Sequence, residues 1–324
     1  MSSVLNLIFS TSMAVTAAST PQQQPSVQLG LPLDCVVGKT CVIQQYVDHD
    51  PGPGARDYAC GTLVYDKHDG MDFRLPDMVA ERKGVRVLAA APGKVLRARD
   101  GEPEGVFLAH GDVKGQECGN GVLIDHGGGW QTQYCHMARG SIVVKPGQSV
   151  AAGAALGQVG LSGETQFPHV HLTVRHDGKA VDPFSYGAAP DQCNGGRSLW
   201  RADLRASLQY RPRSVLNAGF ASGPVTMQDV EDGLDARRPT RASSMVAYVR
   251  AIGLRAGDQP SLVLKGPDGR RIGASDAAPL DRAKAQYLLY AGAHGPLARG
   301  NYTAEYRVLN GGAVVLSQTF NMSL

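Results

Sequence analysis

Nine histidines occur in the 324 residues, and three places among them have residue types and spacing fit for chemistry. The first is His68-Asp69-Gly70-Met71-Asp72, an H-x-x-x-D. Imidazole nitrogen and carboxylate oxygen are both competent zinc ligands. On a helix this spacing would put both groups on one face. Asp69-Gly70 and the β-type text around it instead predict a turn running into a strand. Alone, such a motif is commoner as a surface turn than as a ligand pair. The second place is Pro168-His169-Val170-His171-Leu172-Thr173-Val174-Arg175. Period-two alternation puts His169, His171, Thr173 and Arg175 on one face and Val170, Leu172 and Val174 on the other, toward the core. Two histidines on one strand face lie about 7 Å apart, so one can hold a metal while its neighbour reaches the open position. A solvated polar strand face is the plain alternative. The third place is Tyr134-Cys135-His136-Met137, which by itself reads as a satisfied, partly buried histidine. Together the three supply two histidines and one aspartate for zinc, with two further histidines uncommitted. Catalytic zinc sites use three protein ligands and leave one position for water.

Such residues need strands to aim them. Val85–Ala89, Gly93–Leu96, Gly121–Asp125 and Gln131–Tyr134 are short β-type runs. Gly127-Gly128-Gly129 lies between the last two and suits a hairpin loop with positive φ. Folding about that loop brings Cys118 opposite Cys135, the best disulfide pair. Cys35 and Cys41 are near in sequence and could also bridge, leaving Cys60 with Cys193. An even count of six cysteines without C-x-x-C argues against a zinc knuckle or a thioredoxin motif. It fits disulfides formed in an oxidising compartment, with buried free thiols as the alternative. No long amphipathic helix is expected. His126 reads as a strand-end residue, and Gly160–Gly163 with Glu164-Thr165 as a loop at a cleft rim, able to touch substrate.

Composition sets the frame. Glycine is abundant, 40 residues, and proline numbers 19, with no three-residue period, which points to many tight turns and short strands. Thirty-two basic and 29 acidic residues give a net charge of +3. Being scattered, they leave no electrostatic footprint for nucleic acid. No apolar run is long enough for a transmembrane helix. Residues 1–20 read as a signal peptide or disordered leader. Val4–Phe9 would be its apolar core and Val15-Thr16-Ala17 its cleavage site, although the first basic residue is Lys39. Residues 21–26 form a linker, 27–195 the domain carrying the histidines, and 196–213 a second linker. Over 214–324, strand candidates at Met245–Val249, Ser261–Leu264, Gln286–Tyr290, Tyr302–Tyr306 and Val314–Ser317 alternate with turns at Pro267-Asp268-Gly269 and Asn310-Gly311-Gly312. That rhythm predicts an immunoglobulin-like β-sandwich, so the fold class is all-β.

His68-x-x-x-Asp72, Tyr-Cys-His136 and His169-x-His171, in this order, resemble the lysostaphin/LytM-type zinc metallopeptidases that cut peptidoglycan cross-links. Ala91-Pro92-Gly93-Lys94-Val95, Gly119-Asn120-Gly121-Val122, Ile124-Asp125-His126-Gly127, Val144–Val150, Gly157–Gly160 and Val181-Asp182-Pro183 match the framing text. The resemblance covers residues 55 to 187. It implies that His68, Asp72 and His171 hold one Zn²⁺ and that His136 and His169 are the catalytic pair. In that scheme His169 takes a proton from water and passes it to the leaving amine, while His136 donates to the oxyanion.

The expected protein is a periplasmic or secreted zinc endopeptidase acting on peptidoglycan peptides. The alternative is a non-catalytic module on the same fold that docks a cell-wall amidase or glycan; such relatives usually lack some of the ligands. A lipoyl or biotinyl carrier would need a lysine between paired Asp or Met at a turn, and none occurs. The C-terminal sandwich is open to a cell-wall or protein partner.

Overall fold

The alternation along residues 169–176 dictates the central strand. A computed structural model describes residues 27–189, 191–233 and 238–324; the leader expected over 1–20 and the linker over 21–26 lie outside the described residues. The first half contributes ten strands: β1 (Val42–Gln45), β2 (Met71–Arg74), β3 (Arg86–Leu88), β4 (Gly93–Arg99), β5 (Asn120–Gly127), β6 (Trp130–Met137), β7 (Ser149–Val150), β8 (Ala155–Gln158), β9 (His169–His176) and β10 (Lys179–Val181). Seven of them form one antiparallel sheet in the order β1-β2-β9-β6-β5-β4-β7, with β10 added on β9; β3 and β8 make a separate pair. On β9, Val170, Leu172 and Val174 are at most 1% exposed. Each such burial contributes about 1.5–3 kcal/mol, enough to fix which face the histidines occupy.

Register then assembles the motifs. β9 lies between β2 and β6, and pairs His171 with Asp72 on one side and with Cys135 on the other. The β5–β6 hairpin turns at Gly127, Gly128 and Gly129, all with positive φ, where a Cβ would be strained. Cys118 and Cys135 are bonded across this hairpin, Cys35 is bonded to Cys41, and Cys60 to Cys193. The described helices are short: α1 (Met78–Arg82), α2 (Val106–His110) and α3 (Met227–Asp232).

The described residues of the second half hold seven strands: β11 (Ser214–Ala221), β12 (Met245–Leu254), β13 (Gln259–Lys265), β14 (Arg271–Asp276), β15 (Lys284–Ala293), β16 (Asn301–Asn310) and β17 (Ala313–Ser323). Sheets of order β11-β12-β15 and β14-β13-β16-β17 enclose a core that includes Val249, Leu262, Leu264, Tyr302 and Tyr306. This is an antiparallel β-sandwich of the immunoglobulin-like kind. The stretch 196–213 does more than connect. Leu199, Trp200 and Leu208 are buried in the core of the first half, and Leu29 N–H donates to the Leu199 carbonyl.

Buried charge joins the halves. Arg74 of β2 donates to Glu231 Oε2 of α3 at 2.7 Å and to Gln44 Oε1 at 2.6 Å. Arg250 of β12 donates to the same Glu231 oxygen, to the Pro76 carbonyl at 2.6 Å and to Asn217 Oδ1 at 2.8 Å. Both guanidiniums are fully buried. Asn217 also donates to Asp77, the N-cap of α1, and Tyr210 OH donates to Asp57 at 2.7 Å.

Candidate metal centre

Strand register places five side chains in one spot. His68 stands in the turn before β2, Asp72 on β2, His136 on β6, and His169 and His171 on β9. His68 Nε2, Asp72 Oδ1 and His171 Nδ1 lie 3.0–3.2 Å from one another. His68 and Asp72 are buried and His171 nearly so. Three donor atoms this close, two imidazole and one carboxylate, fit a zinc ion. The rest of each ring is already committed. His68 Nδ1 lies 2.6 Å from the Tyr46 carbonyl; a carbonyl only accepts, so Nδ1 carries the hydrogen and Nε2 is left for a metal. His171 Nε2 lies 3.2 Å from Asp69 Oδ1 and 3.1 Å from Thr173 Oγ1, an orienting contact of the kind that sharpens metal ligands. Gly70 is required beside it, since a Cβ there would fall 2.4 Å from His171 Nε2 and 2.7 Å from the Leu172 carbonyl.

Electrostatics suit this division. Burial alone would raise the Asp72 carboxyl, but the imidazoles of His169 and His68 outweigh it and hold Asp72 well below the usual carboxylate range. His171 is pulled down by burial, yet hydrogen bonds to Asp69 and Asp72 push it up to about 9. A metal entering the cluster therefore displaces a proton.

His136 and His169 face the same space with ring centroids 4.6 Å apart. His136 Nδ1 donates to the Ser162 carbonyl at 2.9 Å. Burial, and then the neighbouring His169 and His171, drive its pKa well below the ordinary imidazole value, so the ring is neutral with Nε2 bare. Its φ of 63° is in the left-handed region, disfavoured for a non-glycine residue. Two backbone bonds hold it there: His136 N–H to the Cys118 carbonyl, and Gly160 N–H to the His136 carbonyl. His169 Nδ1 lies 3.0 Å from the Phe167 carbonyl and from Thr165 Oγ1, which turns its Nε2 toward the cluster, 3.4 Å from Asp72 Oδ1.

The five residues line or adjoin a cleft of about 520 Å³. Glu164 and Thr165 line it, as does Arg175, which donates to Gln133 and Asp69. Sequence reasoning takes Asp69 only as a turn former and Ser162 only as part of a rim loop; Tyr46 and Ser162 act through backbone carbonyls, which carry no sequence signal. Ala285 and Gln286 of the sandwich also line the cleft. His126 stays outside it, bonded to the Pro92 carbonyl and Thr132.

An antiparallel β-sheet platform thus carries a His–Asp–His cluster and two further histidines over one cleft, the arrangement expected from the resemblance to the lysostaphin/LytM type. Residues 66–183, which hold all five positions, match the model of Peptidase family M23. The cell division protein DipM of Caulobacter vibrioides is 32% identical over 123 residues, 36% of this chain and 17% of that protein. The peptidoglycan DD-endopeptidase ShyA of Vibrio cholerae is 30% identical over 115 residues, 36% of this chain and 22% of its own length. A mutant catalytic domain of the prophage-encoded M23 protein EnpA from Enterococcus faecalis aligns with a TM-score of 0.34 at 24% identity, covering 51% of this chain and 100% of that one. The matched regions thus span less than a quarter of the length of DipM or ShyA.

Proposed function

We propose that this chain is a zinc-dependent endopeptidase that hydrolyses peptide cross-links of bacterial peptidoglycan, acting in the periplasm or after secretion. The observation that carries the proposal is the convergence of His68 Nε2, Asp72 Oδ1 and His171 Nδ1 beside two further histidines, His136 and His169, at the same cleft. His68, Asp72 and His171 would hold the zinc. When bound, the metal supplies Lewis acidity and lowers the pKa of water toward neutrality. His169 Nε2, next to the ligand set, is placed to accept a proton from attacking water and return it to the leaving amine. His136 cannot donate from Nε2 until it has taken up a proton, because its Nδ1 hydrogen is spent on Ser162. The expected oxyanion role therefore carries a condition: His136 first accepts a proton, then donates it. The cleft excludes bulk water from both rings, since His136 and His169 are buried.

The intact ligand set and histidine pair favour this reading over a non-catalytic docking module. Digestion of defined cross-linked muropeptides by the full chain, with products identified by mass spectrometry, tests it. One new amine and one new carboxyl per broken cross-link are expected, and chelation should abolish them. Retained binding to peptidoglycan with no cleavage of any cross-link type would establish the docking module instead.

A further inference from the structure

The cleft is lined by an unusual share of uncharged side-chain amides: Gln44, Gln45, Gln133, Gln166 and Gln286. Two are spent. Gln44 accepts from Arg74, and Gln133 accepts from Arg175. Among the described residues, no side-chain hydrogen bond holds the amides of Gln45, Gln166 or Gln286, and Gln286 Oε1 is buried without a partner. An unpaired buried amide oxygen is costly, and a primary amide offers one acceptor and two donors, the complement of a peptide group. These three amides come from different elements: β1, the loop before β9, and β15 of the sandwich. β15 is the edge strand of its sheet, paired only with β12. It cannot drift from the cleft, because Glu231, Arg74 and Arg250 lock the sandwich to β2, and Tyr210 ties the connecting segment to Asp57.

We infer that the substrate-binding cleft is built from both halves of the molecule, and that the side-chain amide nitrogen of Gln286 in the C-terminal sandwich donates to a backbone carbonyl of the extended peptide substrate. The inference rests on the peptidase reading for the identity of the peptide. Gln286 is a specificity residue: it holds peptide and takes no part in proton transfer. The partner chemistry of the sandwich is therefore the substrate of the neighbouring domain.

The test compares the full-length wild type with Gln286→Leu, which keeps the bulk and removes the amide, and with Gln286→Asn as a conservative control. KM and kcat on a cross-linked muropeptide are measured beside affinity for the uncross-linked stem peptide, zinc content and melting temperature. Loss of one hydrogen bond should raise KM and the stem-peptide Kd of Gln286→Leu about three- to tenfold, with kcat within about twofold and zinc content unchanged. Gln286→Asn should recover part of that loss. A variant that folds like wild type and keeps its KM and peptide affinity overturns the inference and leaves the peptidase reading standing. Wild-type protein that binds stem peptide through Gln286 but cleaves nothing overturns the peptidase reading and leaves the inference standing. Wild type that neither binds nor cleaves overturns both.

Discussion

Each histidine ligand of the cluster is half of a pair, and the other half sets its tautomer. The H-x-x-x-D and H-x-H spacings were legible because ligand types at fixed short offsets survive as text. Their partners were not: Tyr46 and Asp69 lie 22 and 102 residues from the rings they hold, and a backbone carbonyl leaves no letter behind. Asp69 is the most informative of these. Its carboxylate faces His171 Nε2, and Arg175 faces the carboxylate. Asp69→Asn should therefore lower zinc affinity by about 10- to 100-fold, measured by competition with a chromogenic chelator, while leaving the melting temperature of the metal-free protein close to wild type. Unchanged affinity would remove Asp69 from the site.

At the scale of elements, local patterns served well. Alternation on β9 and glycines between β5 and β6 specify strand and hairpin within a few residues, so both were readable. Register between distant strands is set by the core that both share, and no spacing in the text pairs Asp72 with His171. The cysteine opposite the hairpin was readable once the turn was placed. That bond ties the strand bearing His136 to Cys118, whose carbonyl accepts from His136 N–H. Replacing Cys118 and Cys135 together with alanine should cost about 2–4 kcal/mol of unfolding free energy, the usual effect of opening a loop of this size. Urea denaturation would show it, and an unchanged midpoint would mean that the sheet alone holds the hairpin. Activity should fall further than stability explains, because His136 loses its restraint.

Over the whole molecule, the sequence suggests two domains joined by a linker over 196–213, and that stretch also packs against the first half. Leu199, Trp200 and Leu208 sit in the first core; apolar residues without helical or strand period give no sign of where they pack. Arg74 and Arg250 likewise read as ordinary arginines until the fold brings them to one glutamate. Glu231→Gln removes the carboxylate that both buried guanidiniums share, and breaking such a cluster should destabilise the protein by about 3–5 kcal/mol. Thermal unfolding followed by circular dichroism would report this loss. A melting temperature equal to wild type would show that the halves are held by other contacts.

The central claim is that His68, Asp72 and His171 hold a metal on which hydrolysis depends. Titrating zinc into the metal-free full-length chain, while following occupancy and muropeptide cleavage in the same sample, addresses it most directly. Cleavage should be absent at the start, rise in step with occupancy and level off near one zinc per chain. Full cleavage before any zinc is added, or full occupancy without cleavage of any cross-link, would contradict the claim.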